Sequence, residues 1–366
     1  MKTMAMVGVV LALAGAGAWG QGQQGGSALL RGEDAASSGT RAAAAAVAPQ
    51  VVEQIVAAPP EELWRVFTTG EGFTKLGVAK AEVDLRVGGL MRSHYRPEGV
   101  IGDEGTIENQ IIAYEPLRMI AFRIHKPPAG FPFKEAWKGT WSVATFTDLG
   151  DGRTHLRLAG LGYTDEPESR AMREFFEKGN AWTLEKLASQ YDAAAKAAPP
   201  AEAHKTGALD PIELEAVVPG TREEVWRAYT TGEGWKKFFG VETRIGGGPG
   251  EPFEVYFGAS APMGERGSEG CVILSLVPGE MFSYTWNAPP KFAQARKERT
   301  WVVVTFEEVS ARATRVRVRH MGFAERAAAH GQSRAEWEQV RAYFANAWPH
   351  VLGALKKSFE GAASGP

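Results

Sequence analysis

Histidine is the residue type in this chain best suited to acid–base chemistry, because its side chain titrates near neutral pH. The sequence has seven histidines, and none forms an HExxH motif or a close pair on one helix face. His320 ends the run RVRVRH, in which Arg and Val alternate. If Val316 and Val318 point inward, His320 lies on the same dry face, where it either contacts a ligand or makes structural hydrogen bonds. The structural role is favoured, and Gly160 at the matching position of the repeat described below argues against shared catalysis.

Two further histidines fall on or beside predicted strands. His94 belongs to the segment His94-Tyr95-Arg96 on one strand, and His125 follows another. His94 and Arg96 share a face that we expect to be exposed, and Tyr95 lies on the other face. A cavity enzyme that uses His320, or His94 with His125, therefore stays open as an alternative to a purely binding function.

Other patterns of catalysis and metal binding are missing from the sequence. The serines form no GxSxG motif, and the Gly-rich run at 246–253 lacks the Lys-Ser/Thr of a phosphate-binding loop. The single cysteine, Cys271, makes neither an internal disulfide nor a Cys-rich zinc site. The sequence therefore assigns no catalytic residue, no metal ligand and no cofactor.

The overall charge argues against nucleic acid as a partner. The 366 residues include 41 basic and 43 acidic side chains, which gives a net charge of −2. Such a balance creates no broad positive field to attract phosphates. The apolar content of 44% is typical of a globular protein.

Two halves of the chain repeat the same pattern. Trp64 matches Trp226 at an offset of 162 residues, and each is followed by the sequence TTGEG. Five further short matches occur in the same order, ending with Asn-Ala-Trp at Trp182 and at Trp348. A period near 160 residues is too long for a solenoid repeat, so each copy must be a whole domain.

Each copy has the same predicted order of elements: a strand, two short helices, six strands and a long helix. In the second copy, Thr221 and Glu224 form a capping box at the start of a helix, and Ser333 and Glu336 form another. Large apolar residues from Trp337 to Phe359 then recur every three or four positions. An antiparallel sheet with segregated helices is an α+β fold.

The N-terminus has the layout of a secretory signal peptide, since Lys2 precedes an apolar stretch that ends in the small residues Ala18 and Gly20. We expect cleavage before Gln21, with an uncleaved anchor as the alternative. The predicted organisation is a signal peptide at 1–20, a disordered tether at 21–49, a first domain at 50–195, an Ala/Pro-rich linker at 196–208 and a second domain at 209–359. This predicts a secreted or periplasmic protein with no stable membrane span after cleavage.

The ordered set of motifs, from PEELWRVFTTGEGF through VGG and the Glu-Pro turn to HMGF and a Trp-centred last helix, resembles the START-like or SRPBCC superfamily. The likeness covers about 50–195 and 209–358. Within that superfamily the chain is most similar to homologues of the C-terminal domain of the heat-shock protein 90 ATPase activator. The resemblance implies two tandem helix-grip domains, each a curved antiparallel sheet wrapped around its long C-terminal helix. Members bind lipids, sterols and other apolar molecules, and a few are cyclases or hydrolases.

An aromatic-lined cavity is what this resemblance implies for the site. Trp137 and Trp141 share a predicted strand face, and Tyr284, Trp286 and Trp301 lie on adjacent predicted strands. The predicted lining residues are Tyr95, Phe122, Trp137, Trp141, Tyr256, Tyr284, Trp286, Trp301 and His320. Binding of a small apolar ligand without catalysis is the favoured function. A chaperone-type protein-interaction module is the third reading, which the exported location disfavours.

Overall fold

The structure is a computed structural model that describes residues 47–192, 207–329 and 331–360. The predicted signal peptide lies outside the described residues, as do the predicted tether up to residue 46 and the predicted linker up to residue 206. The chain divides into two compact units, which hold most of the residues before and after this linker. In the part of the chain that is described, no helix is long and apolar enough to cross a membrane.

The first domain is built around one antiparallel sheet with the strand order β1-β7-β6-β5-β4-β3-β2. The strands are β1 (Gln50–Val56), β2 (Lys80–Val83), β3 (Leu90–His94), β4 (Ile107–Glu115), β5 (Met119–Lys126), β6 (Trp141–Asp148) and β7 (Thr154–Leu161). The helices are α1 (Pro60–Thr68), α2 (Gly70–Thr74) and α3 (Pro167–Asp192).

Helix α1 covers the face of the sheet that carries Phe146. Pro60 occupies the first helical position, where its missing N–H costs no hydrogen bond. The rings of Trp64 and Phe67 then pack edge-on against the Phe146 ring, with centroids 6.1 and 5.2 Å away. The long helix α3 packs against β1 and β7 and buries Leu184 among other apolar residues.

The second domain repeats this arrangement in two pieces of sheet. Its strands are β8 (Ile212–Val218), β9 (Glu242–Ile245), β10 (Phe253–Tyr256), β11 (Ile273–Val277), β12 (Met281–Trp286), β13 (Thr300–Ser310) and β14 (Ala313–Met321). Its helices are α4 (Arg222–Thr230), α5 (Gly232–Phe239), α6 (Phe323–Ala328) and α7 (Arg334–Glu360). The main sheet has the order β11-β12-β13-β14-β8, and a bridge between Pro252 and Val272 connects the β10-β9 ribbon to it.

The core of the second domain lies between this sheet and α7. Register alternation places Tyr284 opposite Val302, and Val302 opposite His320, so the three share one buried face. The predicted apolar stripe of α7 covers that face. Its buried members are Trp337, Val340, Phe344, Trp348, Val351 and Leu355, and Leu352 beside them is buried as well.

The local signals read from the sequence agree with the structure. Thr221 Oγ1 accepts the N–H of Glu224, and the Glu224 carboxylate accepts the N–H of Thr221, which completes the capping box of α4. Strand order and helix order are the same in both domains, apart from the short α6. The predicted α+β class with two tandem domains is confirmed.

Candidate ligand-binding cleft

A cleft of about 670 Å³ lies in the second domain between the end of β12, two loops and α7. This volume falls in the range that small-molecule sites occupy, roughly 300–1,000 Å³. The apolar part of its lining consists of Phe239, Phe257, Trp286, Pro289, Pro290, Tyr343, Phe344, Ala347, Trp348 and Val351.

Two tryptophans form the wall where the sheet meets the helix. Trp286 is the last residue of β12 and Trp348 lies on α7, and their ring centroids are 5.5 Å apart. Phe257 packs edge-on to Trp286, and Phe344 lies beside Trp348. Aromatic walls of this kind give a small apolar molecule a large contact area, and the rigid rings have few rotamers to lose on binding.

His320 lies behind this wall, fully buried, and its hydrogen bonds connect the Trp348 indole to the backbone of Trp286. Its Nδ1 accepts the indole N–H of Trp348 at 3.0 Å, because a Trp nitrogen can only donate. The proton of His320 is therefore on Nε2, which donates to Thr300 Oγ1 at 2.7 Å. The Thr300 hydroxyl in turn donates to the carbonyl of Trp286 at 3.0 Å. One hydrogen-bonded chain thus runs from α7 through β14 and β13 to β12.

The same burial makes His320 unsuited to acid–base catalysis. Desolvation lowers the pKa of its imidazole to about 3, so the ring is neutral at physiological pH. Both ring nitrogens are already engaged, which leaves no lone pair to remove a proton from a substrate.

Two arginines bring positive charge to the cleft. The donors of Arg296 are taken up by backbone carbonyls, whereas those of Arg266 are only partly taken up. Arg296 donates to the carbonyls of Gly264, Gly267 and Ala288 and so ties two loops together. Its burial lowers the pKa of the guanidinium from the usual value. Arg266 donates through Nε to Glu269 at 3.0 Å and stands over the ring of Tyr256 at 5.0 Å.

The predicted lining residues of the second domain lie at different depths relative to the cleft. Trp286 lines the cleft. Tyr284 is one layer deeper, where its hydroxyl and that of Tyr229 are 2.7 Å apart and burial raises the pKa of the Tyr284 phenol well above its usual value. His320 is the polar group behind the wall. Tyr256 is half-buried beneath Arg266 and does not line the cleft itself.

The prediction that Trp301 lines the cavity is wrong. Trp301 pairs with Thr285 and Met321, so alternation turns it to the face opposite Val302 and the core. There it covers Gly322, where a Cβ would lie 2.6 Å from the indole ring. Trp141 of the first domain has the same relation to Gly162 and faces away from Phe146, so its assignment to a cavity is wrong too.

The other predicted residues of the first domain lie on different elements. Trp137 is not on a strand, because Ala136–Gly139 form a 3-10 turn in which the indole N–H bonds to the Lys134 carbonyl. Tyr95 is half-buried in a bend after β3. Phe122 is buried on β5 at the position that corresponds to Tyr284.

The pairing of His94 with His125 gains no support from their environments. His94 is buried, contrary to the expected exposure, because the 95–106 loop packs over its ring at Gly99 and Gly105. Its Nδ1 accepts the N–H of Arg96, and its Nε2 lies 3.2 Å from Asp103. His125 is exposed on β5 rather than following it.

Sequence reasoning missed most of the cleft, including Trp348, Phe344, Phe257 and Arg266. The available signal was the divergence between the two copies. His320 and Trp286 are replaced by Gly160 and Ile124 in the first copy, at offsets of 160 and 162. The first-copy partner of Trp348 is Trp182, which is 36% exposed instead of buried. Among the described residues, no group of three or more His, Cys, Asp or Glu is placed to hold a metal ion.

Fold and site together define a protein of two START-like domains, the second of which has an aromatic cleft. The family model described as "Activator of Hsp90 ATPase homolog 1-like protein" matches residues 57–191 and 219–360. The chain belongs to this family, as the resemblance predicted. Among curated protein sequences, none is significantly similar to the chain.

The chain is also similar to solved structures that align with about 40% or about 85% of its length. A protein from Mesorhizobium loti is 22% identical, with 40% of this chain and 99% of that chain covered and a TM-score of 0.33. The di-domain ARO/CYC BexL from the BE-7585A biosynthetic pathway is 12% identical over 86% of this chain and 99% of its own, with a TM-score of 0.33. The Aha1 dimer from Colwellia psychrerythraea is 14% identical over 41% of this chain and 100% of its own, with a TM-score of 0.32.

Proposed function

We propose that the second domain binds a small apolar molecule in the cleft between β12 and α7, without catalysing a reaction. The observation that carries this proposal is the packed pair of indoles, Trp286 and Trp348. The hydrogen-bonded chain through His320 and Thr300 fixes the Trp348 indole and the Trp286 backbone, and the two rings pack on each other, so the aromatic wall exists before a ligand arrives. Preorganisation of this kind lowers the entropic cost of binding.

Two further observations support binding over catalysis. The buried histidines His320 and His94 both spend their ring nitrogens on structural partners. Within the described lining of the cleft, the hydroxyl of Ser268 bonds to the backbone of Val255 and Phe253, so it is not paired with a general base. A nucleophile, a base and an orienting group are all required for the common hydrolytic mechanisms.

The test is a titration of the full chain with Nile red, a neutral apolar dye, followed by dye emission. Trp348→Ala removes one wall of the cleft, and Trp182→Ala removes the exposed counterpart in the first domain. We expect saturable binding by the wild type, about tenfold weaker binding by Trp348→Ala and unchanged binding by Trp182→Ala, since a large buried side chain contributes about 1.5–3 kcal/mol. Absence of saturable binding, or equal effects of the two substitutions, contradicts the proposal. Circular dichroism confirms that each variant is folded.

We also propose that the protein is exported. The support is the sequence of the N-terminal 20 residues, where Lys2 precedes an apolar stretch and two small residues.

A further inference from the structure

We infer that the ligand of this cleft carries a carboxylate, which pairs with the guanidinium of Arg266. This inference rests on the proposed binding function and adds to it the chemical class of the ligand, an apolar carboxylic acid. The apolar part would lie against Trp286 and Trp348, and the carboxylate would lie at the loop that contains Arg266.

The bonding of Arg266 leaves its outer end available. Nε donates to Glu269, and the guanidinium stands over the Tyr256 ring. Within the described residues, the structure assigns no hydrogen-bond partner to its two terminal nitrogens, and the side chain is 31% exposed. Four N–H donors in a planar fork match the two oxygens of a carboxylate.

Its neighbours hold the guanidinium in place. Glu269 accepts the backbone N–H groups of Gly264 and Arg266 in addition to the Nε of Arg266, so it is anchored independently of that side chain. Tyr256 is anchored in turn by its hydroxyl, which donates to Glu254 at 2.7 Å. Tyr256 is therefore a positioning residue that supports Arg266 from below.

The hydrogen-bond donors of the cleft favour an anion over a cation. Its described lining includes the side chains of Arg266, Arg296, Glu265 and His350. Glu269, outside this lining, pairs with both arginines at 3.0 and 3.7 Å, so the charges nearly balance and the free donors decide the preference. Arg296 spends its donors on three backbone carbonyls, so its charge remains while its hydrogen bonds are used. Aromatic walls attract quaternary ammonium groups as well, but the terminal N–H groups of Arg266 are donors, which a carboxylate can accept and an ammonium group cannot.

A matched pair of probes separates this inference from the proposed function. 11-(Dansylamino)undecanoic acid and its methyl ester differ only in the carboxylate. At pH 7.5 we expect Arg266→Gln to weaken binding of the acid about tenfold and to leave binding of the ester unchanged. Arg266→Lys should lose less affinity for the acid than Arg266→Gln, because lysine keeps the positive charge although it lacks the planar set of guanidinium donors. Arg312→Gln is the matched control, because Arg312 is an exposed arginine that pairs with Glu224. It should leave the affinity for both probes unchanged.

Each other outcome has a definite meaning. If Arg266→Gln leaves the acid as tightly bound as before, or weakens the acid and the ester equally, the carboxylate inference is wrong and the apolar binding function stands. If the wild type binds neither probe, the proposed function is wrong and the inference fails with it.

Discussion

The indole nitrogen of Trp348 donates a hydrogen bond to Nδ1 of His320 at 3.0 Å, which joins the last helix of the second domain to its central sheet. The bond fixes the tautomer of His320 and, through Thr300, the end of β12. The first domain has Gly160 and an exposed Trp182 at the corresponding positions. The two copies therefore share a fold and differ in how their long helix meets the sheet.

The stability of the second domain should depend on pH through His320. Burial holds the pKa of this imidazole at about 3 in the folded state, below its ordinary value of about 6.5. The unfolded chain therefore binds a proton first as the pH falls. The free energy of unfolding is therefore highest above pH 6.5 as far as His320 is concerned. Between pH 6.5 and pH 3 it falls by roughly 1.4 kcal/mol per pH unit.

Urea unfolding of the full chain at pH 7 and pH 5 measures this dependence. His320→Gln should be less stable at pH 7 and should lose the part of the pH dependence that lies between these values. His350→Gln, which alters an exposed histidine on α7, serves as the control and should keep it. An unchanged pH dependence in His320→Gln would show that the imidazole is not the titrating group.

Gly322 should not tolerate a side chain. Its φ of 99° disfavours any other residue, and a Cβ would lie 2.6 Å from the Trp301 ring. We expect Gly322→Ala to lower the free energy of unfolding by about 2 kcal/mol or more, from backbone strain of about 1–2 kcal/mol and from the steric clash. Gly248→Ala meets no atom within 4 Å and should change stability by less than about 0.5 kcal/mol. Equal stabilities of the two variants in thermal unfolding would refute this account.

Trp64 should contribute more to stability than the tryptophan of the last helix of the same domain. Trp64 is 9% exposed and packs on Phe146, whereas Trp182 is 36% exposed beneath Lys186. Trp64→Ala should cost roughly 3–5 kcal/mol, as expected for a buried aromatic residue. Trp182→Ala should cost less than about 1 kcal/mol. Chemical denaturation of both variants gives the comparison, and a loss below about 1 kcal/mol for Trp64→Ala would place that side chain outside the core.

Export predicts a shortened mature chain. N-terminal sequencing of the protein from its native host should find Gln21 as the first residue and recover the protein outside the cytoplasm. Replacing Leu11 and Leu13 with Arg should interrupt the apolar stretch and retain the full-length chain in the cytoplasm. An intact Met1 on cytoplasmic protein from the wild-type gene would contradict the proposal.

The sequence by itself determined the duplication, the order of elements and the local signals of each helix. Spacing and capping depend on residues three or four apart, and strand alternation on residues two apart, so these patterns can be read along the chain. That is why the α7 stripe and the capping box of Thr221 with Glu224 were predicted. Matches between Trp64 and Trp226, and between Trp182 and Trp348, likewise needed only the order of residues.

Only the tertiary structure decided which of these residues form the site. Alternation shows that Trp301 and Val302 face opposite ways, but it does not show which face α7 covers, so Trp301 was placed in the cavity. The partners of His320 are 20 and 28 residues away in sequence, and the direction of their bonds depends on how α7 crosses the sheet. Hydrogen bonds and burial depend on which side chains are close in three dimensions. Trp286, Trp348 and Arg266 come together in one cleft only in the folded chain.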